Sequence, residues 1–233
     1  RKRRIKLSMP DQISLQNLKT VRKNIQKYSP HPNKVKIIAV TKTLSHKSIE
    51  EAVLNGIDCI GENKVQEYYA KRNQGFSCNY QAHLIGHLQS NKIKKAIDIF
   101  DVIETIDTIK LAQKMNQKLQ DKGQNKDVYI QINIGDDPNK FGFKKNEALH
   151  VSEVITEMEN LRLKGVMTIL PLIDNNVQTE KLFYNTHTIF KKIKEKINQN
   201  CTDLSMGMSG DYIFALKHGA THIRIGTSLY GQR

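Results

Sequence analysis

A short β-branched segment, Lys36-Ile37-Ile38-Ala39-Val40-Thr41-Lys42, ends in Thr-Lys directly after four apolar residues. Such a segment predicts a strand that is buried on both faces, as in parallel sheets. On its N-terminal side, the apolar residues of 11–28 recur at helical spacing, and Pro30 and Pro32 end this predicted helix. On its C-terminal side, residues 49–54 predict a second helix. The pattern therefore indicates an α/β unit that follows a leading helix.

The same unit recurs along the chain. Further strands are predicted at 58–61, 82–85, 102–105, 128–133, 163–168, 204–208 and 222–225. Helices are predicted at 65–72, 91–97, 108–119, 147–158, 179–197 and 212–218; Asp107 and Gly123 are the expected caps of the helix at 108–119. Eight strands alternating with helices predict an α/β fold, a modified (β/α)8 TIM barrel of one domain over residues 9–233, with an extra N-terminal helix. An open doubly wound parallel sheet is the alternative.

The net charge is +14, from 37 Lys and Arg against 23 Asp and Glu. A basic chain suggests nucleic-acid binding, because lysine and arginine neutralise phosphates. Five of these charges lie within residues 1–6, and without them the net charge falls to +9. Only 6% of the residues are aromatic and none is Trp, so a base-stacking platform is not expected. We therefore treat nucleic-acid binding as a disfavoured alternative, and residues 1–8 as a disordered basic tail or a non-native extension.

The cysteine pattern excludes two classes of small domain. Cys59, Cys78 and Cys201 are odd in number and widely spaced, which supports neither a disulfide framework nor a zinc site. No apolar segment reaches the length of a membrane span, and no hydrophobic signal-peptide core follows the basic start. We expect a cytoplasmic protein with no membrane partner and no metal.

Functional groups of a TIM barrel lie at the carboxyl ends of its strands. Lys42 ends the first predicted strand, and a desolvated lysine there is a nucleophile for Schiff-base formation, although a lone lysine more often extends to the surface. Ser209 follows the seventh predicted strand, and Gly226 and Thr227 follow the eighth. These are the loops that hold phosphate in this fold, although each motif alone also fits a tight turn. An amine facing a phosphate site suggests pyridoxal 5′-phosphate (PLP).

Eight motifs carry a resemblance to a known family. In order along the chain they are Ala39-Val40-Thr41-Lys42-Thr43, Gly61-Glu62-Asn63, His83-Leu84-Ile85-Gly86-His87-Leu88-Gln89-Ser90-Asn91-Lys92, Ile130-Gln131-Ile132-Asn133, Asn139-Lys140-Phe141-Gly142, Leu163-Lys164-Gly165-Val166-Met167, Leu204-Ser205-Met206-Gly207-Met208-Ser209 and Arg224-Ile225-Gly226-Thr227. From about Met9 to Arg233, the chain resembles the pyridoxal phosphate homeostasis protein family, which is related to the N-terminal barrel of alanine racemases.

The resemblance implies a role for each matching residue, and none of them is catalytic. It implies that Lys42 holds PLP as a Schiff base, that Arg224 faces the pyridine nitrogen, and that the phosphate lies on Ser209, Gly226 and Thr227. The other implied positions are Asn63, Met208 and Met167 in the pocket, His83 and Asn91 on the neighbouring rim, and Lys140 as a secondary amine near the mouth.

The function implied by the resemblance is binding rather than catalysis. A monomeric PLP-binding protein would act in vitamin B6 and amino-acid homeostasis without evident turnover, and PLP-dependent apoenzymes are the implied partners. A single-domain, racemase-like PLP enzyme is the alternative. Racemisation needs an acid or base on each face of the substrate, and alanine racemases take the second one from an added domain. A length of 233 residues, which suits one barrel, therefore favours the binding protein.

Overall fold

Strands and helices alternate along residues 11–75 and 78–231, the part of the chain that a computed structural model describes. The strands are β1 (Lys36–Val40), β2 (Cys59–Glu62), β3 (Gln81–Leu84), β4 (Val102–Ile106), β5 (Lys126–Asn133), β6 (Phe143–Lys144), β7 (Leu161–Thr168), β8 (Asp203–Met208) and β9 (His222–Ile225). The helices are α1 (Leu15–Tyr28), α2 (Lys47–Leu54), α3 (Val65–Arg72), α4 (Ile93–Ile99), α5 (Ile109–Gln120), α6 (Ala148–Thr156), α7 (Asn176–Lys196), α8 (Tyr212–Lys217) and α9 (Thr227–Tyr230). The predicted tail at residues 1–8 lies outside the described residues.

The strands form one closed parallel sheet. Their order is β4-β3-β2-β1-β9-β8-β7-β5, and pairing of β4 with β5 closes the barrel. This closure confirms the predicted (β/α)8 barrel and excludes the open doubly wound sheet. The two-residue β6, which the sequence pattern did not predict, extends the sheet beside β5 through Ile132 and Phe143.

The main hydrophobic core lies between the outer face of the sheet and the helices. Outward-facing strand residues such as Ile37 and Ile60 pack there with helix residues such as Leu18 and Phe183. The predicted N-terminal helix, α1, packs against α8 and α9. Its cap, Ser14, also donates its backbone N–H to the carbonyl of Leu229 at 2.8 Å. Within residues 11–75 and 78–231, every helix is too short or too polar to cross a membrane.

The barrel interior differs from this shell because much of it is polar. Val102, Tyr129 and Met167 form a small apolar cluster separate from the main core. Next to it, the charged side chains of Glu104 and Arg224 are only 0% and 3% exposed. A buried charge is tolerated only when it is paired and hydrogen-bonded, so these groups must have specific partners.

The N-terminal cap of α5 corrects one prediction. The hydroxyl of Thr108, not the carboxylate of Asp107, accepts the N–H of Leu111 at 3.2 Å. Asp107 instead hydrogen-bonds His87 at the barrel mouth. Either residue type can cap a helix, and the one-residue difference depends on a tertiary partner that the local sequence does not show. Gly123 ends this segment with φ +61°, as predicted.

Candidate functional site

Lys42 lies in the turn that leaves β1, between a buried threonine and a strained one. Thr41 is fully buried, and its hydroxyl donates to Glu62 Oε1 at 2.6 Å. Thr43 has φ +65°, a left-handed conformation that is unfavourable for a β-branched residue. Its N–H donates to Glu67 Oε1, and the Lys42 side chain itself is exposed. The turn is therefore fixed on both sides of a lysine that faces solvent at the carboxyl end of the barrel.

A buried ion pair supports this turn from α3. Lys71 Nζ lies 2.7 Å from Glu62 Oε1 and 2.8 Å from the carbonyl oxygen of Thr41. Burial raises the pKa of Glu62, although Lys71 and the Thr41 hydroxyl oppose the shift. The family motifs included Glu62, but nothing in the sequence singled out Lys71. A lysine at the end of an amphipathic helix is normally solvated, so the sequence held no signal that Lys71 would be buried.

Ser209 and the start of α9 form a small cradle of backbone donors. The N–H groups of Gly226 and Ser228 both donate to Ser209 Oγ, at 3.3 and 3.2 Å. Two converging N–H groups at a helix start suit an anionic oxygen, and the serine hydroxyl holds the acceptor position that a phosphate oxygen would take. Thr227 lies between them and is exposed.

The cradle and Lys42 leave neighbouring strands. β1 pairs with β9 in a register that sets Ala39 opposite Ile225. Gly226 and Lys42 therefore extend from adjacent strand ends on the same edge of the barrel. The structure brings the predicted amine and the predicted phosphate residues to one side of the mouth.

Arg224 is held in the barrel interior just below the mouth. Its guanidinium donates to Ser205 Oγ and to the carbonyl oxygen of Thr168, each at 2.7 Å. The Ser205 hydroxyl in turn donates to Glu104 Oε2 at 2.6 Å. Burial lowers the pKa of Arg224, and the nearby carboxylates of Glu104 and Asp211 oppose the shift. Glu104 is thus the counter-charge of this arginine, and it was not predicted.

His83 was predicted on the rim, and this is wrong. The residue is fully buried in the barrel interior, where its Nδ1 hydrogen-bonds Glu104 Oε1 at 2.6 Å. Burial opposes ionisation of Glu104, but the bond to His83 and the charge of Arg224 outweigh it and lower the pKa of this carboxyl. An inward-facing strand position next to a buried acid accounts for the Nδ1 contact, while the buried Nε2 of His83 has no hydrogen-bond partner among the described residues.

His222 lies beside this network, with its ring 5.8 Å from that of His83. Burial, with a contribution from the charge of His83, lowers the pKa of His222 to about 4. Between pH 4 and the ordinary histidine value near 6.5, the unfolded chain therefore binds a proton at this site that the folded protein excludes. Stability should fall as the pH decreases through this range.

We expect the variant His222→Asn to weaken this acid sensitivity. Asparagine keeps a polar group near the Thr221 hydroxyl, which lies 2.9 Å from His222 Nδ1, but it does not titrate. The free energy of unfolding should depend less on pH between 4.5 and 6.5, by on the order of 1–3 kcal/mol, as measured by denaturant titration. The exposed His150, changed to Asn, is the control. Equal slopes for wild type and His222→Asn would contradict the assignment.

Lys140 lies near the mouth, on the loop that follows β5. Its Nζ donates to the carbonyl of Leu170, which follows β7. The residue also lines a cavity of about 350 Å³ with His87, Asp107 and Phe141. Within the cavity the His87 ring stacks on Phe141 at 3.7 Å and its Nδ1 lies 2.6 Å from Asp107 Oδ2. Lys140 therefore lies on a loop at the carboxyl end of the barrel, with its amine bonded to the main chain.

The remaining predicted residues lie in three places: the carboxyl edge of the barrel, its interior and its outer surface. Asn63 directly follows β2, and Met208 ends β8 with its side chain partly exposed, so both are at the carboxyl edge. Met167 is fully buried in the interior cluster, where it packs against Tyr129. Asn91 lines a groove of about 380 Å³ with residues of α3 and α4, outside the barrel. In residues 11–75 and 78–231, no group of three or more His, Cys, Asp or Glu side chains is placed to hold a metal ion.

Comparison with known proteins decides the family. Residues 13–233 match the family model of the alanine racemase N-terminal domain. A pyridoxal phosphate homeostasis protein of Pasteurella multocida is 35% identical over 229 residues, 94% of this chain and 97% of that protein. The chain belongs to the pyridoxal phosphate homeostasis protein family. A second member, from Haemophilus influenzae, is 37% identical over 206 residues, 86% of each chain.

Solved structures agree with the fold and the family. PipY of Synechococcus elongatus, solved without PLP, has a TM-score of 0.84 at 32% identity, covering 93% of this chain and 99% of its own. The same protein with PLP bound has a TM-score of 0.81 at 30% identity, with the same coverage. An alanine racemase of Clostridium difficile, 19% identical, has a TM-score of 0.76 over 95% of this chain and 58% of its own. At that identity, the racemase shares the barrel fold only.

Proposed function

We propose that this protein binds PLP at the barrel mouth and acts in intracellular PLP and amino-acid homeostasis as a carrier without catalytic turnover. One observation carries the proposal: a lysine and a cradle of backbone N–H groups leave adjacent strands, β1 and β9, on the same edge of the barrel. PLP carries an aldehyde and a phosphate, and these two groups match the two features. The family membership and the PLP complex of PipY support the proposal.

In this proposal, each group at the mouth has a defined role. The amine of Lys42 condenses with the aldehyde to a Schiff base and one water molecule is released. The N–H groups of Gly226 and Ser228, with the Ser209 hydroxyl, bind the phosphate, and Thr227 lies beside it. Asn63 follows β2 and Met208 ends β8, the strands that flank the β1–β9 pair on either side, and both residues border the ring. Met167 lies deeper, in the interior cluster with Val102 and Tyr129.

Arg224 favours a carrier of PLP over an enzyme that acts on amino acids. Bound PLP supplies an electron sink whose strength depends on protonation of its pyridine nitrogen. A guanidinium stays charged and has no acceptor, so facing the ring nitrogen it donates a hydrogen bond and disfavours a proton there. Ser205 and the Thr168 carbonyl fix the guanidinium of Arg224 in the barrel interior. The site therefore suits retention of PLP better than amino-acid chemistry.

The test is titration of the purified protein with PLP, followed by visible absorption, with pyridoxal as the matched ligand that lacks the phosphate. We expect a Schiff-base band with PLP and binding at least about 10-fold weaker with pyridoxal, because two charge-assisted hydrogen bonds are lost. Equal affinity for PLP and pyridoxal would show that the proposed cradle does not bind the phosphate.

The loaded protein from the same titration tests the carrier against the racemase-like alternative. It is incubated in heavy water with a panel of L-amino acids, and deuterium at the α-carbon is measured by mass spectrometry. A carrier exchanges the α-proton no faster than free PLP does. Exchange at enzyme-like rates for one amino acid would establish the enzyme and overturn the carrier.

A further inference from the structure

Two lysines meet at the carboxyl end of β1. Lys42 is exposed in the turn after the strand, and Lys71 reaches the same turn from the last part of α3, where it is 5% exposed. Lys71 Nζ donates to three oxygens, Glu62 Oε1 at 2.7 Å, the Thr41 carbonyl at 2.8 Å and Glu67 Oε1 at 3.1 Å. An ammonium has three N–H groups, so all of them are used. The Lys71 side chain is therefore held by these three oxygens and is not presented to an aldehyde.

The acceptors of Lys71 are the same groups that fix the turn. Glu62 Oε1 also accepts the Thr41 hydroxyl, and Glu67 Oε1 also accepts the Thr43 N–H. The ammonium thus joins the residue before Lys42 to the residue after it. Thr43 holds a left-handed φ of +65°, a conformation that persists only when the surroundings impose it.

Removing the ammonium should release the turn. Glu62 is fully buried, and its Oε2 has no hydrogen-bond partner among the described residues. Without Lys71, this carboxylate would lose its counter-charge and take up a proton, and the Thr41 carbonyl would lose its donor. Thr43 would then relax towards an ordinary backbone conformation.

From these contacts we infer that Lys71 is a positioning residue for Lys42: the Lys71–Glu62 ion pair sets the backbone of the turn that carries the reactive amine. The inference rests on the proposed function, because it takes Lys42 as the residue that bonds PLP. It assigns different roles to the two lysines at this strand end. Lys42 bonds the aldehyde, and Lys71 fixes the turn that presents it.

The test compares the variants Lys71→Met and Glu62→Gln/Lys71→Met with wild type. The single variant keeps the side-chain length but leaves a buried carboxylate without its counter-charge, whereas the double variant removes both charges and should recover most of the thermal stability. We expect both variants to form the Schiff base with PLP at least about 10-fold more slowly than wild type, because both lack the link to the Thr41 carbonyl. The exposed Lys94, changed to Met, is the control.

Hydrogen exchange of the Thr43 amide, measured in the protein without PLP, gives a second readout. Loss of Lys71 should speed this exchange about 10-fold or more in both variants. If the double variant binds PLP at the wild-type rate, or if the Thr43 amide stays protected in both, the positioning role is overturned. A wild-type protein that forms no Schiff base would refute the proposed function instead, and the amide exchange would still decide whether Lys71 fixes the turn.

Discussion

The variant Lys42→Ala should lose the Schiff-base absorption band and bind PLP at least about 100-fold more weakly than wild type, a cost of about 2.7 kcal/mol in binding free energy. The phosphate cradle on Ser209 is untouched, so weak noncovalent binding should remain. Thermal stability should change little, because the Lys42 side chain is exposed and the turn is fixed through Thr41 and Thr43. Absorption and equilibrium dialysis measure the two effects.

The matched control for this variant is Lys47→Ala. Lys47 is an exposed lysine at the first position of α2, five residues along the chain, and alanine keeps the backbone N–H that it donates to Ser45. This control should bind PLP as wild type does. A Lys42→Ala protein that keeps the absorption band would move the Schiff base to another lysine, such as Lys140, and the proposed site would be wrong.

The variant Gly86→Ala should destabilise the fold strongly. Gly86 follows β3, where a Cβ atom would lie 2.2 Å from the carbonyl oxygen and 2.8 Å from the Cα of Asn63. Both contacts are with backbone, so no side-chain rotation relieves them, and the loop after β2 must move. We expect a loss of about 3 kcal/mol or more in the free energy of unfolding and a fall of roughly 6–12 °C in Tm.

The control for Gly86→Ala is Gly210→Ala. A Cβ at Gly210 would meet no heavy atom within 4 Å, so the stability should change by no more than about 0.5 kcal/mol. Since Asn63 borders the proposed site, Gly86→Ala should also weaken PLP binding in the fraction that folds. Unchanged stability in Gly86→Ala would contradict this close approach of Gly86 to the Asn63 backbone.

Much of the fold was predictable because a parallel barrel imposes a repeating local pattern. Each strand is covered on both sides, so runs such as Ile37–Val40 are almost wholly apolar, and the helices between them keep one apolar face. The eight predicted strands agree with the structure to within two residues at each end. Among the strands of residues 11–75 and 78–231, only β6 was missed, since two residues beside β5 leave no periodicity to detect.

The candidate site was predictable where function follows from position on a strand. Lys42 ends the first predicted strand, Ser209 and Gly226 directly follow later ones, and the barrel rule places such residues at one end. The interior could not be predicted in this way. Glu104 pairs with His83 on the next strand but reaches Arg224 only through Ser205, across the closed barrel.

Long-range pairing also explains the other differences. Lys71 has the sequence context of a solvated helix lysine, and only the packing of α3 on the β1 turn buries it. Asp107 had the pattern of a helix cap, but His87 takes its carboxylate and Thr108 caps the helix. In both cases the role of the side chain is decided by a partner far away in the sequence, Thr41 for Lys71 and His87 for Asp107.

The most direct test of the proposed site is borohydride reduction of the PLP-loaded protein, followed by peptide mapping by mass spectrometry. Reduction converts the Schiff base to a stable amine and so marks the lysine that held the aldehyde. We predict a single major label on Lys42, with Lys71 unlabelled because its three N–H groups are engaged. A label mainly on another lysine, or no label above that of the Lys42→Ala variant, would contradict the account.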